Sequence, residues 1–146
     1  MTMLIGEYTH TIDDKKRISL PSKFRKEIGK KVIITQGLDG CLFLYSLKEW
    51  EKISARVAEM GMANSESRGF NRFLLSSAHD SDVDASGRIL IPDNIKEFAG
   101  IKNKVVFAGV YNRIELWDED RWTAYKTAIS GEAEKMAEKL GDVGIF

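Results

Sequence analysis

The sequence predicts an α+β fold: one pseudo-two-fold unit in which strands of two tandem copies interleave into a small barrel, with helices outside. Three observations predict it. Asp13 to Arg25 is matched by Asp84 to Lys96, each reading Asp, three turn-like residues, Arg, an apolar-rich strand, Pro and a helical pattern. The match continues after one gap, with Ile33-Ile34 against Val105-Val106, Gly37 against Gly109, Leu44 against Leu116 and Trp50 against Trp122. Two copies are too few for a solenoid and suit an internal pair. Each copy also offers only four short strands, too few to close a barrel alone. The copies are bounded at 5–78, including connecting helices, and 79–146.

The elements follow in order. Tyr8 to Ile12 alternates and ends at Asp13-Asp14, so it reads as a strand, with Arg17 to Leu20 returning. Pro21 stops ladder pairing and opens a helix over 22–28, whose apolar Phe24 and Ile28 lie one turn apart; Gly29 ends it. Strands over 32–35 and 42–45 flank the turn residues Gly37 to Gly40. Ser46 and Glu49 form a capping box, and Leu47, Trp50, Ile53, Val57 and Met60 fall at helical spacing before Gly61. A second connecting helix is expected over 64–78. The second copy repeats the plan, with strands near 81–84, 88–91, 104–108 and 114–117, and a helix over 93–99. An Asp118-led helix carries Trp122, Tyr125 and Ile129, and a separate last helix spans 132–140.

Composition narrows the function. The chain has 146 residues, no formal net charge, and the apolar and charged fractions of a soluble globular protein. Charge is unevenly placed. Residues 13–31 carry eight basic groups against three acids, a balance of +5, whereas residues 115–146 carry eight acids against four bases, a balance of −4. A basic segment in a neutral chain reads either as a footprint for a polyanion or as a solvated helix face, and composition alone does not choose between them. Cys41 is the one cysteine, so no intrachain disulfide forms, which fits a reducing compartment. No apolar stretch reaches roughly 18 residues. The expectation is a cytoplasmic protein with no membrane partner.

The repeated Asp-x-x-x-Arg motif is the candidate site. Three intervening residues make a tight hairpin, so Asp13 faces Arg17 and Asp84 faces Arg88. A carboxylate beside a guanidinium fixes the direction of a long side chain. An oriented Arg at a loop tip can grip phosphate or read guanine through O6 and N7. A single exposed ion pair of this kind contributes roughly 0–1 kcal/mol and needs no functional meaning; two, each followed by strand, Pro and helix, point to function. Lys15, Lys16, Lys23 and Arg25 are expected to contact backbone phosphates, which position without specifying. The charge contrast between the copies predicts that Arg17 matters more than Arg88.

Other chemistry is not favoured. His10 and His79 lack second ligands at metal spacing. The run from His79 to Asp84 fails as a calcium loop, which needs Gly where Ala85 stands and Glu where Ile91 stands. No serine has a recognisable His–Asp partner set, and no Gly-rich phosphate cradle is present. Neither enzyme activity nor a cofactor is expected.

With these residues in place the chain resembles the MraZ family, bacterial transcription regulators built from two AbrB-type swapped-hairpin domains. The resemblance rests on the two Asp-x-x-x-Arg-hydrophobic-x-hydrophobic-Pro segments, with Leu42 to Tyr45 and Trp50, then Ile114 to Asp118 and Trp122, behind them. It implies a nucleoid-associated DNA-binding protein acting on the cell-division and cell-wall gene cluster, including its own gene, and a ring-shaped homo-oligomer. It places Asp13, Arg17, Asp84 and Arg88 at the motif positions, with Arg touching DNA. One departure stands out: Lys16 occupies the place where the family's first turn, like Gly87 in the second, has Gly. The rival reading is an antitoxin-like AbrB protein that binds a protein toxin and its own promoter. Because the two-fold is already used inside the chain, association is expected to be head-to-tail, and the partner to be double-stranded DNA with direct repeats about 10 base pairs apart.

Overall fold

The computed structural model describes residues 3–145. Its strands and helices alternate as β1 (Leu4–Thr11), β2 (Arg17–Ser19), α1 (Ser22–Ile28), β3 (Lys31–Gln36), β4 (Leu42–Ser46), α2 (Leu47–Met60), α3 (Ser65–Ser76), β5 (His79–Asp82), β6 (Arg88–Leu90), α4 (Asp93–Phe98), β7 (Lys104–Tyr111), β8 (Arg113–Asp118) and α5 (Glu119–Asp142). The α+β class and the interleaving are as expected.

The strands form a six-stranded sheet in the order β1-β7-β8-β4-β3-β5 and a two-stranded ribbon, β2-β6. Both read the same when the copies are exchanged. β1 of the first copy pairs with β7 of the second, and β5 of the second pairs with β3 of the first. The pseudo-two-fold runs through the β4–β8 pair, centred on Phe43 opposite Glu115, and through the β2–β6 pair, centred on Ile18 opposite Ile89.

Strand alternation divides the apolar residues between two cores. Leu42, Leu44, Ile114 and Leu116 face inward and join Ile18 and Ile89 of the ribbon, so the sheet and the ribbon enclose one interior. Cys41, Phe43, Tyr45, Val106 and Trp117 face outward, beneath Trp50, Ile53, Trp122 and Tyr125 of α2 and α5. Within that outer layer the Arg113 guanidinium lies 4.6 Å from the Phe43 ring and pairs with Glu115 at 2.9 Å.

The connectors break the symmetry. Ser46 caps α2 by accepting from the Glu49 N–H, and Asn64 caps α3 by accepting from Ser67. α3 docks on β3, where the Thr35 hydroxyl donates to the Leu74 carbonyl at 2.6 Å and lies 2.9 Å from the Ser77 hydroxyl. In the second copy, one 24-residue helix stands where two helices, the second starting at Glu132, are expected. Gly131 lies inside it: a lone helical glycine costs about 1 kcal/mol against Ala, which the helix-forming residues on both sides offset. Glu7 on β1 ties α5 down, accepting from Trp122 Nε1 at 3.2 Å and from Lys126 at 3.0 Å. Strand ends also differ from expectation: β5 begins at His79, two residues early, because its partner β3 pairs Lys31 with Asp82 and Ile34 with His79.

Candidate nucleic-acid interface

Each hairpin is built by its aspartate. Asp13 Oδ1 accepts from the Lys15 and Arg17 backbone N–H groups at 2.8 and 2.9 Å. Asp84 Oδ1 accepts from Ser86 and Arg88 at 2.9 and 2.8 Å. Backbone bonds close both turns in the same way, with Asp13 N–H to the Arg17 carbonyl and Asp84 N–H to the Arg88 carbonyl, each 2.9 Å. Two aligned donors stabilise the ionised carboxylate. The Arg17 N–H holds the Asp13 carboxyl below the usual carboxylate value, and the Arg88 N–H does the same for Asp84.

The third turn residue takes a left-handed backbone in both copies, φ 64° at Lys16 and 78° at Gly87. The two turns therefore share one conformation despite the Lys-for-Gly difference, and the first carries strain that a glycine does not. The Lys16 ammonium is drawn to Asp93 at the start of α4.

The two hairpins lock together. Leu20 N–H donates to the Gly87 carbonyl at 2.8 Å, and Ile91 N–H to the Lys16 carbonyl at 2.9 Å. In the ribbon Arg17 lies opposite Leu90 and Ser19 opposite Arg88, while Ile18 and Ile89 point into the core. Strand alternation thus puts Arg17 and Arg88 on one outward face, diagonal to each other, at a spacing of about 7–8 Å.

The arginines are held differently. Arg88 Nε donates to Asp84 Oδ2 at 3.1 Å, so the ion pair expected from the motif forms in the second copy. In the first copy Asp13 binds only backbone N–H groups. Arg17 is exposed and forms no ion pair among the described residues.

The remaining basic residues separate. Lys15 stands exposed at the first hairpin tip and Lys23 exposed on α1. Arg25 is half-buried: its Nε donates to the Leu20 carbonyl at 2.8 Å, and its guanidinium lies where a Cβ on Gly87 would be, 2.2 Å away. It buttresses the second turn from the first copy. A small hollow of about 310 Å³ beside it is lined by Arg25, Gly29, Lys30, Val83, Asp84, Ala85 and Gly87. Lys30 is thus a neighbour of the second hairpin that motif spacing did not single out. It was visible in the basic count of residues 13–31, but its partner there, Val83, whose N–H donates to the Lys30 carbonyl, is 53 residues away in sequence.

No cluster of His, Cys, Asp and Glu able to hold a metal occurs among the described residues, and no described helix is long and apolar enough to cross a membrane.

Comparison with known proteins agrees with this architecture. The family model for MraZ protein, described as antitoxin-like, matches twice, over residues 3–73 and 74–142. A protein of Caldicellulosiruptor saccharolyticus named transcriptional regulator MraZ is 46% identical over 143 residues, 98% of this chain and all of that protein. Proteins of the same name from Thermoanaerobacter sp. and Clostridium acetobutylicum are 44% and 41% identical over the same length. Two tandem family matches, on a chain whose two halves exchange strands across a pseudo-two-fold, leave one assignment: the chain belongs to the MraZ family.

Proposed function

We propose that the protein is a sequence-specific DNA-binding transcriptional regulator and not an enzyme. The observation that carries the reading is the β2–β6 ribbon, which offers Arg17 and Arg88 side by side on one outward face between two aspartate-capped turns. A two-stranded ribbon fits the major groove, and arginine there reads guanine through two parallel hydrogen bonds. Asp13 and Asp84 act through the turn backbone; Asp84 also aims Arg88. Lys15, Lys16 and Lys23 supply phosphate contacts that set position, and Arg25 contributes by bracing the second turn. Membership of the family, with relatives named transcriptional regulators, supports a site of action at the promoter of the cell-division and cell-wall gene cluster and of its own gene, in the cytoplasm and at the nucleoid.

The regulator works as a closed homo-oligomer on direct repeats. No residue of α5 is buried, and Met136, Leu140, Val143 and Ile145 leave apolar surface on and after it, which supports head-to-tail packing. The test is a mobility-shift titration on the protein's own promoter. The Arg17→Ala, Arg88→Ala double variant, shown folded by circular dichroism, is expected to lose sequence preference while keeping weak nonspecific binding. Half-turn insertions between repeats are expected to weaken the wild type sharply. Unchanged operator preference in the double variant would overturn the reading.

A further inference from the structure

A second hollow, larger than the one beside Arg25, lies off the hairpins. It is an open cleft of about 910 Å³ between the end of α1, the start of β3, the first turns of α2 and the β7–β8 turn. Six cations line it: Lys26, Lys30, Lys31, Lys48, Lys52 and Arg56, against Glu27 and Glu49. Lys31 is committed to Asp80 and Asp82, and Lys52 lies 3.6 Å from Glu49. Lys26, Lys30, Lys48 and Arg56 form no ion pair among the described residues. Lys48, Lys52 and Arg56 follow one another at i, i+4 and i+8, so they make one basic row along an exposed helix face.

The fold does not require this row. In the second copy the equivalent positions are Asp120, Ala124 and Ala128, and the equivalent of Lys26 is Glu97. The same scaffold is therefore neutral to acidic on one side of the pseudo-two-fold and basic on the other. The cleft is also continuous with the hairpins. Gly29 and Lys30 line both it and the smaller hollow that reaches Asp84, Ala85 and Gly87 at the second hairpin tip.

We propose that this cleft is a second contact for duplex DNA, holding the phosphate backbone of the segment flanking the bases that the ribbon meets. The proposal rests on the DNA-binding reading above and adds to it. Lys48, Lys52 and Arg56 each neutralise a phosphate, Lys26 and Lys30 form the opposite wall, and the copy-two side of the molecule makes no such contact. Flanking DNA is then held on one side of the site only. The contact adds affinity and salt dependence without adding sequence preference.

The test compares the wild type with Lys48→Gln, Lys52→Gln, Arg56→Gln by fluorescence anisotropy. All three side chains are exposed, so the fold is retained, which circular dichroism checks. Two duplexes are used, one trimmed to the repeats and one extended by about one further turn on each side. Each phosphate contact steepens the log–log salt dependence by about 0.9, so three lost contacts lower the slope by about 2–3. That drop, with weaker binding, is expected on the extended duplex, with little change on the trimmed one. Equal slopes and affinities on the extended duplex overturn the proposal. So does inorganic tripolyphosphate binding the wild type but not the variant while the duplex slopes stay equal, because the cleft is then a site for a free phosphate ligand. If the wild type binds neither duplex above a scrambled control, the underlying DNA reading fails, and this inference with it; loss by Arg17→Ala on both duplexes keeps the two failures apart.

Discussion

Cutting the chain after Ala78 removes β5 to β8 and leaves every strand of the first copy without a partner from the second. β1 loses all eight of its β7 partners, β3 loses four to β5, and β4 and β2 lose three each. The shared interior suffers as much. Of its nineteen buried residues, ten come from the first copy, from Leu4 to Leu44, and nine from the second, from Ile89 to Leu116. A fully buried aliphatic or phenyl side chain contributes about 1.5–3 kcal/mol. If separation re-exposes half the burial of the ten, the fragment loses about 8–15 kcal/mol, against a total stability of about 5–15 kcal/mol for a whole domain. A 1–78 fragment is therefore expected to be unfolded, aggregated, or paired with a second copy of itself, since its open strands match their own pseudo-symmetric image. Light scattering and a circular-dichroism melt decide it. Mixing 1–78 with 79–146 is expected to restore a cooperative transition. A monomeric 1–78 with its own sharp melt would refute the argument, because each copy would then possess a core that does not depend on exchange.

Other perturbations test the turns and the close approaches. Lys16→Gly removes a left-handed backbone strain of roughly 1 kcal/mol and loses an exposed pair with Asp93 of about 0–1 kcal/mol, so Tm is expected to hold or rise by a few degrees; a clear drop contradicts the strain. Gly109→Ala puts a Cβ 2.7 Å from the Ile5 nitrogen and forces β1 off β7, at about 1–3 kcal/mol in urea denaturation; an unchanged midpoint shows the strand gives way freely. Both hairpin carboxyls titrate below 3.8 when folded, so the stability they supply is complete above 3.8 and is lost as pH falls through the lowered value. Asp13→Asn with Asp84→Asn keeps an acceptor for each turn and is expected to flatten that acid limb in Tm against pH; an identical limb assigns the acid loss to other groups.

Local chemistry was legible wherever the residues that set an element lie within it. α2 runs from Leu47 to Met60 as expected because Ser46 caps it and Gly61 follows it. The repeated Asp-x-x-x-Arg turns were legible because the aspartate bonds to N–H groups two and four residues on. What the sequence did not reveal belongs to partners distant along the chain. β7 extends to Tyr111, three residues beyond expectation, because β1 pairs along its whole length. α5 continues through Gly131, where no cap or proline ends it. Asp13 serves the turn rather than the Arg17 guanidinium, a difference between the copies that identical motifs could not display.

The charge contrast between copies shows the same limit and leads to a different expectation for the arginines. Counted along the chain, the first hairpin and its following helix are strongly basic and the second nearly balanced, so Arg17 would matter more than Arg88. Strand exchange rearranges that count in space. The first hairpin turns toward α4, where Asp93 engages Lys16, and the second sits beside α1, with Arg25 and Lys30 against its tip. The Asp13 carboxylate, held chiefly by the Arg17 backbone N–H, also lies within the field of Arg88 from the other copy. Each hairpin thus has charged neighbours from the other copy, Asp93 beside the first and Arg25 and Lys30 beside the second. Arg88 gains a basic neighbourhood and a carboxylate that aims it; Arg17 keeps freedom, and the lysine before it is engaged by the acidic helix start. A good bidentate base contact is worth about 1–3 kcal/mol, and with these settings the losses on Arg17→Ala and Arg88→Ala are expected to fall within about one kcal/mol of each other. A mobility-shift series in which Arg17→Ala costs tenfold or more beyond Arg88→Ala, with both variants folded, would show that charge along the chain outweighs charge across the swap.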